Sequence, residues 1–170
     1  LTRPPSKSNS RTSMYSSGTV TKDDDEQRLL SQQPQEHLLP LLTCLATTLQ
    51  YLSLEVEARR TTIRDGAIRA ILNILEQTSE PIVLEACAEA LHAFTSFGDS
   101  AVLLIKHQTV PALIKLSDTL LASRDPKRRR QRQSVVASFC NLLSAEKHHG
   151  SVLDYKNCLA CVLRLAECLE

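Results

Sequence analysis

Shifting the chain against itself by 42 positions lays Leu45, Ala46, Leu49 and Leu52 on Cys87, Ala88, Leu91 and Phe94. A second shift, of 48 positions, carries the same set on to Val135, Val136, Phe139 and Leu142. The matches recur at i, i+1, i+4 and i+7, the apolar stripe of a helix with 3.6 residues per turn. One helix is therefore written three times. A period of roughly 40 to 47 residues made only of helices is the mark of stacked helical units. Such stacking builds a long surface rather than a reaction pocket.

Around these copies the other helices fall into a cycle. Residues 38–52 carry the first long helix, with Pro40 tolerable only in its first turn. A short helix over 55–64 ends at Asp65-Gly66, and a medium one over 67–76 turns Ile68, Ile71, Leu72 and Leu75 inward. Pro81 opens the next long helix, 82–97, which Gly98 stops. Asp99 or Ser100 caps a second short helix reaching His107, and Val110-Pro111 starts the medium helix that holds Leu113, Ile114 and Leu116. The third long helix spans 134–145; a short helix near 152–155 and a last one from Cys158 follow. Fifteen positions separate Leu52 from Ala67, and fifteen again separate Phe94 from Thr109. Equal spacing between unlike helices makes the unit a three-helix repeat rather than part of an ordinary bundle.

Composition limits what these helices bury and where the chain works. Hydrophobic residues make up 42% but aromatics only 4%, so the core has to be aliphatic. Four glycines are too few for phosphate-cradling loops. The net charge of +1 conceals acidic and basic runs that cancel in the sum, so it points to neither kind of partner. Six cysteines behind a start unlike a secretion signal suit a reduced compartment, and no apolar run approaches the roughly 18 residues of a membrane span. An intracellular protein without a membrane span is expected, cytoplasmic or nuclear.

Residues 1–35 are rich in Ser, Thr, Gln and charge, with an acidic run at Asp23 to Glu26, and are expected to stay disordered. Arg3, Lys7 and Arg11 among the serines would suit a basophilic kinase, though a solvated tail explains them as well. The remaining boundaries are 36–53 for the end of one unit, 54–97 and 98–146 for two whole units, and 147–170 for the start of another. The second whole unit is lengthened by a basic insertion at 124–133. A first residue of Leu1, with Leu159, Val162, Leu163, Leu165 and Ala166 expected to lie uncovered in the last helix, suggests a piece of a longer array.

These residues resemble the armadillo repeat family. Asp65-Gly66-Ala67-Ile68-Arg69-Ala70-Ile71-Leu72 and Thr109-Val110-Pro111-Ala112-Leu113-Ile114 are similar to the opening of its second helix. Ala88-Glu89-Ala90-Leu91-His92-Ala93-Phe94 and Ser138-Phe139-Cys140-Asn141-Leu142 are similar to the close of its third. The resemblance covers 36–170 and implies an all-α, right-handed α-solenoid of three-helix repeats. It also implies a concave groove of third helices that grips a peptide or partner protein. By helical phase that groove would show Thr43, Thr47 and Tyr51, then Glu85, Glu89, His92 and Ala93, then Gln133, Ala137 and Asn141. In this family a groove asparagine holds the peptide backbone through its amide. Asn141 matches that position, Tyr51 and Ala93 stand in its place in the other copies, and the chain has no tryptophan.

Three other patterns carry chemistry. Cys158 and Cys161, with Cys168 and His148-His149, have zinc-ligand character, yet both fall on the small-residue positions of Ala67, Ala70, Thr109 and Ala112, where cysteine packs as a small hydrophobe. Packing is expected, and no metal or cofactor. Lys127, Arg128, Arg129, Arg130 and Arg132 sit in the insertion and are expected to form a basic loop. That loop would serve as a nuclear localisation signal, a contact for acidic or phosphorylated ligands, or simply a solvated loop. Nucleic acid is disfavoured, because no aromatics interleave for stacking. Glu85 and Glu89 would accept a basic peptide or be ordinary wet surface. His37, His92, His107, His148 and His149 have no nucleophile in a strained turn to serve, so no enzyme is expected. The function expected is a protein-binding scaffold, with a ligand site in the basic loop or a spacer role in a larger array as alternatives.

Overall fold

The periodicity becomes nine α-helices, with no strand among the described residues, in the computed structural model. It describes residues 22–123, 125–145 and 149–169, without the side chains of 22–37, 99 and 149. Expectations for 1–21, Arg124 and His148 lie outside the described residues. Contacts divide the chain into two units, 1–35 and 36–170.

The first helix, α1, runs Lys22–Leu54, so 22–35 is helical where disorder is expected from composition. Local propensity accounts for the difference. The acidic residues Asp23 to Glu26 stand at the positive end of the helix dipole, and Gln, Arg and Leu follow, all good helix formers. Pro40 lies well inside the helix rather than in its first turn, with its ring exposed. The helix there gives up one backbone bond.

Within 36–170 the helices are α2 Val56–Arg64, α3 Ala67–Gln77, α4 Pro81–Thr95, α5 Ala101–Lys106, α6 Thr109–Ala122, α7 Arg129–Leu143, α8 His149–Leu153 and α9 Cys158–Glu167. Short 3-10 turns, Gly98–Ser100 and Pro126–Arg128, precede α5 and α7. The order short, medium, long thus appears as α2, α3, α4 and again as α5, α6, α7. Like packs on like: α2 on α5, α3 on α6, α6 on α9 and α4 on α7. The core is aliphatic, as the composition requires, with Phe94 and Phe139 its only fully buried aromatics among the described residues.

Each medium helix is entered through a left-handed residue. Gly66 has φ 100°, Gln108 φ 66° and Asn157 φ 70°, and they immediately precede α3, α6 and α9. These are the only positive φ values among the described residues. The left-handed residue reverses the chain so that the medium helix folds back along the short one. Glycine adopts the conformation freely, asparagine tolerates it, and glutamine does so at a cost of about 1 to 2 kcal/mol.

The junction of α1 and α2 is tied by a buried arginine. Arg59 donates from Nε to the Ser53 carbonyl at 2.7 Å and from Nη2 to the Leu54 carbonyl at 3.4 Å. Those carbonyls belong to the last turn of α1, where the helix has no partners of its own. The Phe97 ring lies over the guanidinium, 3.5 Å from Cζ to the centroid. Burial lowers the Arg59 pKa, from so high a starting value that the group stays charged.

The left-handed entries set a test of opposite signs. Gly66→Ala, whose added Cβ meets no atom within 4 Å, should lose stability for conformational reasons alone, by about 1 kcal/mol. Gln108→Gly should gain roughly 0.5 kcal/mol, since relief of the left-handed strain exceeds the added freedom of the unfolded chain. Urea unfolding followed by circular dichroism measures both; equal signs would rule out the shared conformational origin.

Candidate functional site

Long α4 packs on long α7, and α1 reaches α4 through side chains. Gln50 of α1 donates its amide to Glu89 of α4, and Arg130 of α7 reaches Glu89 at 2.7 Å and Glu85 at 4.0 Å. These side chains, with Thr47, Ile82 and Ala86, line an open cleft of about 200 Å³ that spans all three helices. Its lining is mainly polar and carries both charges, with Ile82 and Ala86 the apolar members, and nothing in it resembles a nucleophile with an activating base.

The other expected groove residues extend along the same helices. Tyr51 is exposed; His92 and Ala93 are half-buried on α4, and Asn141 is half-buried on α7. Asn141 directs its amide at Thr95 Oγ1, 3.4 Å away, and Ser96 Oγ, 3.5 Å away, at the far end of α4. Both bonds are long, so the amide is held only loosely. The structure therefore places Glu85 and Glu89 in the first turns and middle of α4 and sets Asn141 beside its C-terminal end.

The basic run is not a loop. Asp125 accepts from the Lys127 backbone N–H at 2.9 Å, Pro126 follows in the first turn, and the helix starts there. Arg129, Arg130 and Arg132 consequently lie on α7. Arg132 is buried and donates through Nη2 to the carbonyls of Asp125, at 3.0 Å, and Leu120, at 3.4 Å. A cation at the C-terminal end of α6 satisfies orphan carbonyls and suits the dipole. Arg129 donates to the Leu169 carbonyl at 2.7 Å. Arg128 is half-buried and Lys127 exposed. Most of the run thus pairs within the chain.

Sequence reasoning missed Gln50 and the place of Arg130. The groove stripe of the third long helix, 133, 137 and 141, extended back by one turn, reaches 130. The signal was present but hidden within a charge run.

Cys87, Cys158 and Cys161 are buried, whereas Cys44, Cys140 and Cys168 are exposed. Burial pushes the Cys87 thiol up to about 12 and raises Cys158, with the neighbouring Cys161 adding to the effect. Cys161 is raised by burial and by Asp118, to whose Oδ1 its thiol donates at 3.8 Å. Among the described residues no group of three or more His, Cys, Asp or Glu could hold a metal ion, and no helix is long and apolar enough to cross a membrane. Comparison of the chain with protein-family models, with curated proteins and with solved structures gives no match.

Two outcomes follow for the basic run and the thiols. Arg132→Ala should cost about 2 kcal/mol, because buried charge-assisted bonds are lost, while Lys127→Ala stays within about 0.5 kcal/mol, as for other surface changes; urea unfolding compares them. Alkylation at pH 8, read by mass spectrometry, should modify Cys44, Cys140 and Cys168 well before the other three. Burial shields all three from the reagent and raises their pKa values, which disfavours the reactive thiolate.

Proposed function

We propose that this chain is a non-enzymatic, armadillo-like α-solenoid that binds a partner protein or extended peptide along the face of α1, α4 and α7. The observation that carries this is the cleft crossing all three long helices, lined by Thr47, Gln50, Glu85, Glu89 and Arg130. The repeating order of helices and the packing of like on like support the solenoid. In such an array successive units present equivalent faces on one side, which suits a ligand lying across several helices rather than in one pocket. The Arg130 ion pair is exposed and weak, so a ligand can exchange with it at little cost. Pairing of Arg129, Arg130 and Arg132 within the chain weakens the alternative of a site for phosphorylated ligands in the basic run.

The test is selection of peptides from a display library on the full chain, followed by affinity measurement on variants. Glu85→Lys with Glu89→Lys should weaken the selected peptides about tenfold or more, since a bonded charge at an interface is worth that much. Asn141→Ala should weaken peptides that run past the end of α4 while changing stability by less than about 1 kcal/mol, its bonds being long. Unchanged affinity in both variants, with circular dichroism unaltered, would place binding elsewhere.

A further inference from the structure

Arg59 and Ser100 line a cavity that the fold leaves unfilled. Arg59 on α2 is only 4% exposed and Ser100, just before α5, only 3%; with Val56, Arg60 and Phe97 they surround about 150 Å³. The polar cleft over α1, α4 and α7 shares no residue with this cavity.

The tie to the end of α1 uses only part of the guanidinium. Nε is taken by the Ser53 carbonyl, Nη2 by the Leu54 carbonyl, and the Phe97 ring covers a face. Among the described residues nothing accepts a hydrogen bond from Nη1, and no carboxylate pairs with the charge. The Ser100 hydroxyl likewise caps no helix N–H and has no hydrogen-bond partner among the described residues. A buried cation without a counter-ion, beside a buried hydroxyl without a partner, is costly unless something supplies the missing acceptors. The scaffold does not require the charge. Forty-two positions beyond Arg59, the same slot of the next unit is filled by buried Ala101.

We propose that this cavity binds a carboxylate carried on an apolar group. The unused edge of Arg59 and the Ser100 hydroxyl are two donors, matching the two oxygens of a carboxylate, and the bond from the guanidinium is charge-assisted. Phe97 and Val56, both exposed at the rim, receive the apolar body. Two carbonyls and a ring already hold the guanidinium in place, so little side-chain freedom is left to lose on binding. The same chemistry comes from two sources: the end of a peptide chain whose last residue is apolar, or a free short-chain acid. Binding here is independent of any ligand in the polar cleft, since the two sites have no residue in common.

Titration of the full ¹⁵N-labelled chain at neutral pH, followed by NMR, tests it with three probes: N-acetyl-leucine, N-acetyl-leucinamide and 3-methylbutanoate. The backbone amides of Val56, Phe97 and Ser100 should shift saturably with the acids, with a Kd of roughly 1 mM, as befits ligands of so few atoms. N-acetyl-leucinamide, which keeps the apolar body but lacks the charge, should bind at least about tenfold more weakly. Val56→Glu sets a like charge at the exposed rim and favours the start of α2, so it should keep the fold and weaken both acids about tenfold. Ser100→Ala should weaken them about fivefold through loss of one hydrogen bond. Tighter binding of N-acetyl-leucine supports the proposal with a chain end as the source, and tighter binding of 3-methylbutanoate supports it with a free acid. No saturable shift with either acid, equal binding of the amide, or unchanged affinity in either variant overturns it.

Discussion

The unit at 36–170 depends on α4 having almost no outward side. Nine of its fifteen residues are buried, and they point in every direction but one. Small side chains at Ala86, Cys87, Ala88 and Ala90 let neighbouring helices approach closely, while Leu84, Leu91 and Phe94 fill the spaces between them. Each of the larger ones contributes about 1.5 to 3 kcal/mol by leaving water. The helix packs on α3, α5, α6 and α7 at once. Its charged residues are thereby confined to the remaining strip, where Glu85 and Glu89 stand. The core and the polar cleft are consequences of the same crowding.

That crowding explains which features were legible beforehand. Aliphatic period is a one-dimensional trace of burial, so the short and medium helices at 55–64 and 67–76 are found as Val56–Arg64 and Ala67–Gln77. The turn before each medium helix was visible at Gly66, where glycine advertises left-handed backbone, and invisible at Gln108, where a residue of ordinary propensity is forced into it. The forward reach of α1 was obscured because its turns at 22–35 carry no apolar stripe, only helix-forming composition. The destination of the arginines was obscured for another reason. A side chain finds carbonyls distant in sequence only after the helices have packed, and spacing along the chain carries no record of that.

The arginines show how far charge counting can mislead. Six residues containing five cations read as one electrostatic feature, yet burial divides them. Arg132 serves as a plug in the end of α6, Arg130 as a counter-ion in the cleft, and Arg129 as a clasp on the chain near Leu169. Arg59 does for α1 what Arg132 does for α6. Both use the planar, multidonor guanidinium at a helix end, a geometry that lysine cannot copy.

The one-sidedness of α1 has a kinetic consequence. Leu42, Ala46 and Leu49 anchor one flank in the core while Leu41, Leu45 and Leu52 face outward. Among the described side chains of α1 only Leu42, Ala46, Leu49 and Ser53 are buried, fewer than on α4, and the Gln50 amide and the Arg59 tie add to its attachment. Cooperative opening in stacked helices starts where neighbours are fewest. Backbone amides of α1 therefore belong to the fast-exchanging shell of this molecule and those of α4 to its slow heart, and a protease that waits for transient opening meets the two in that order.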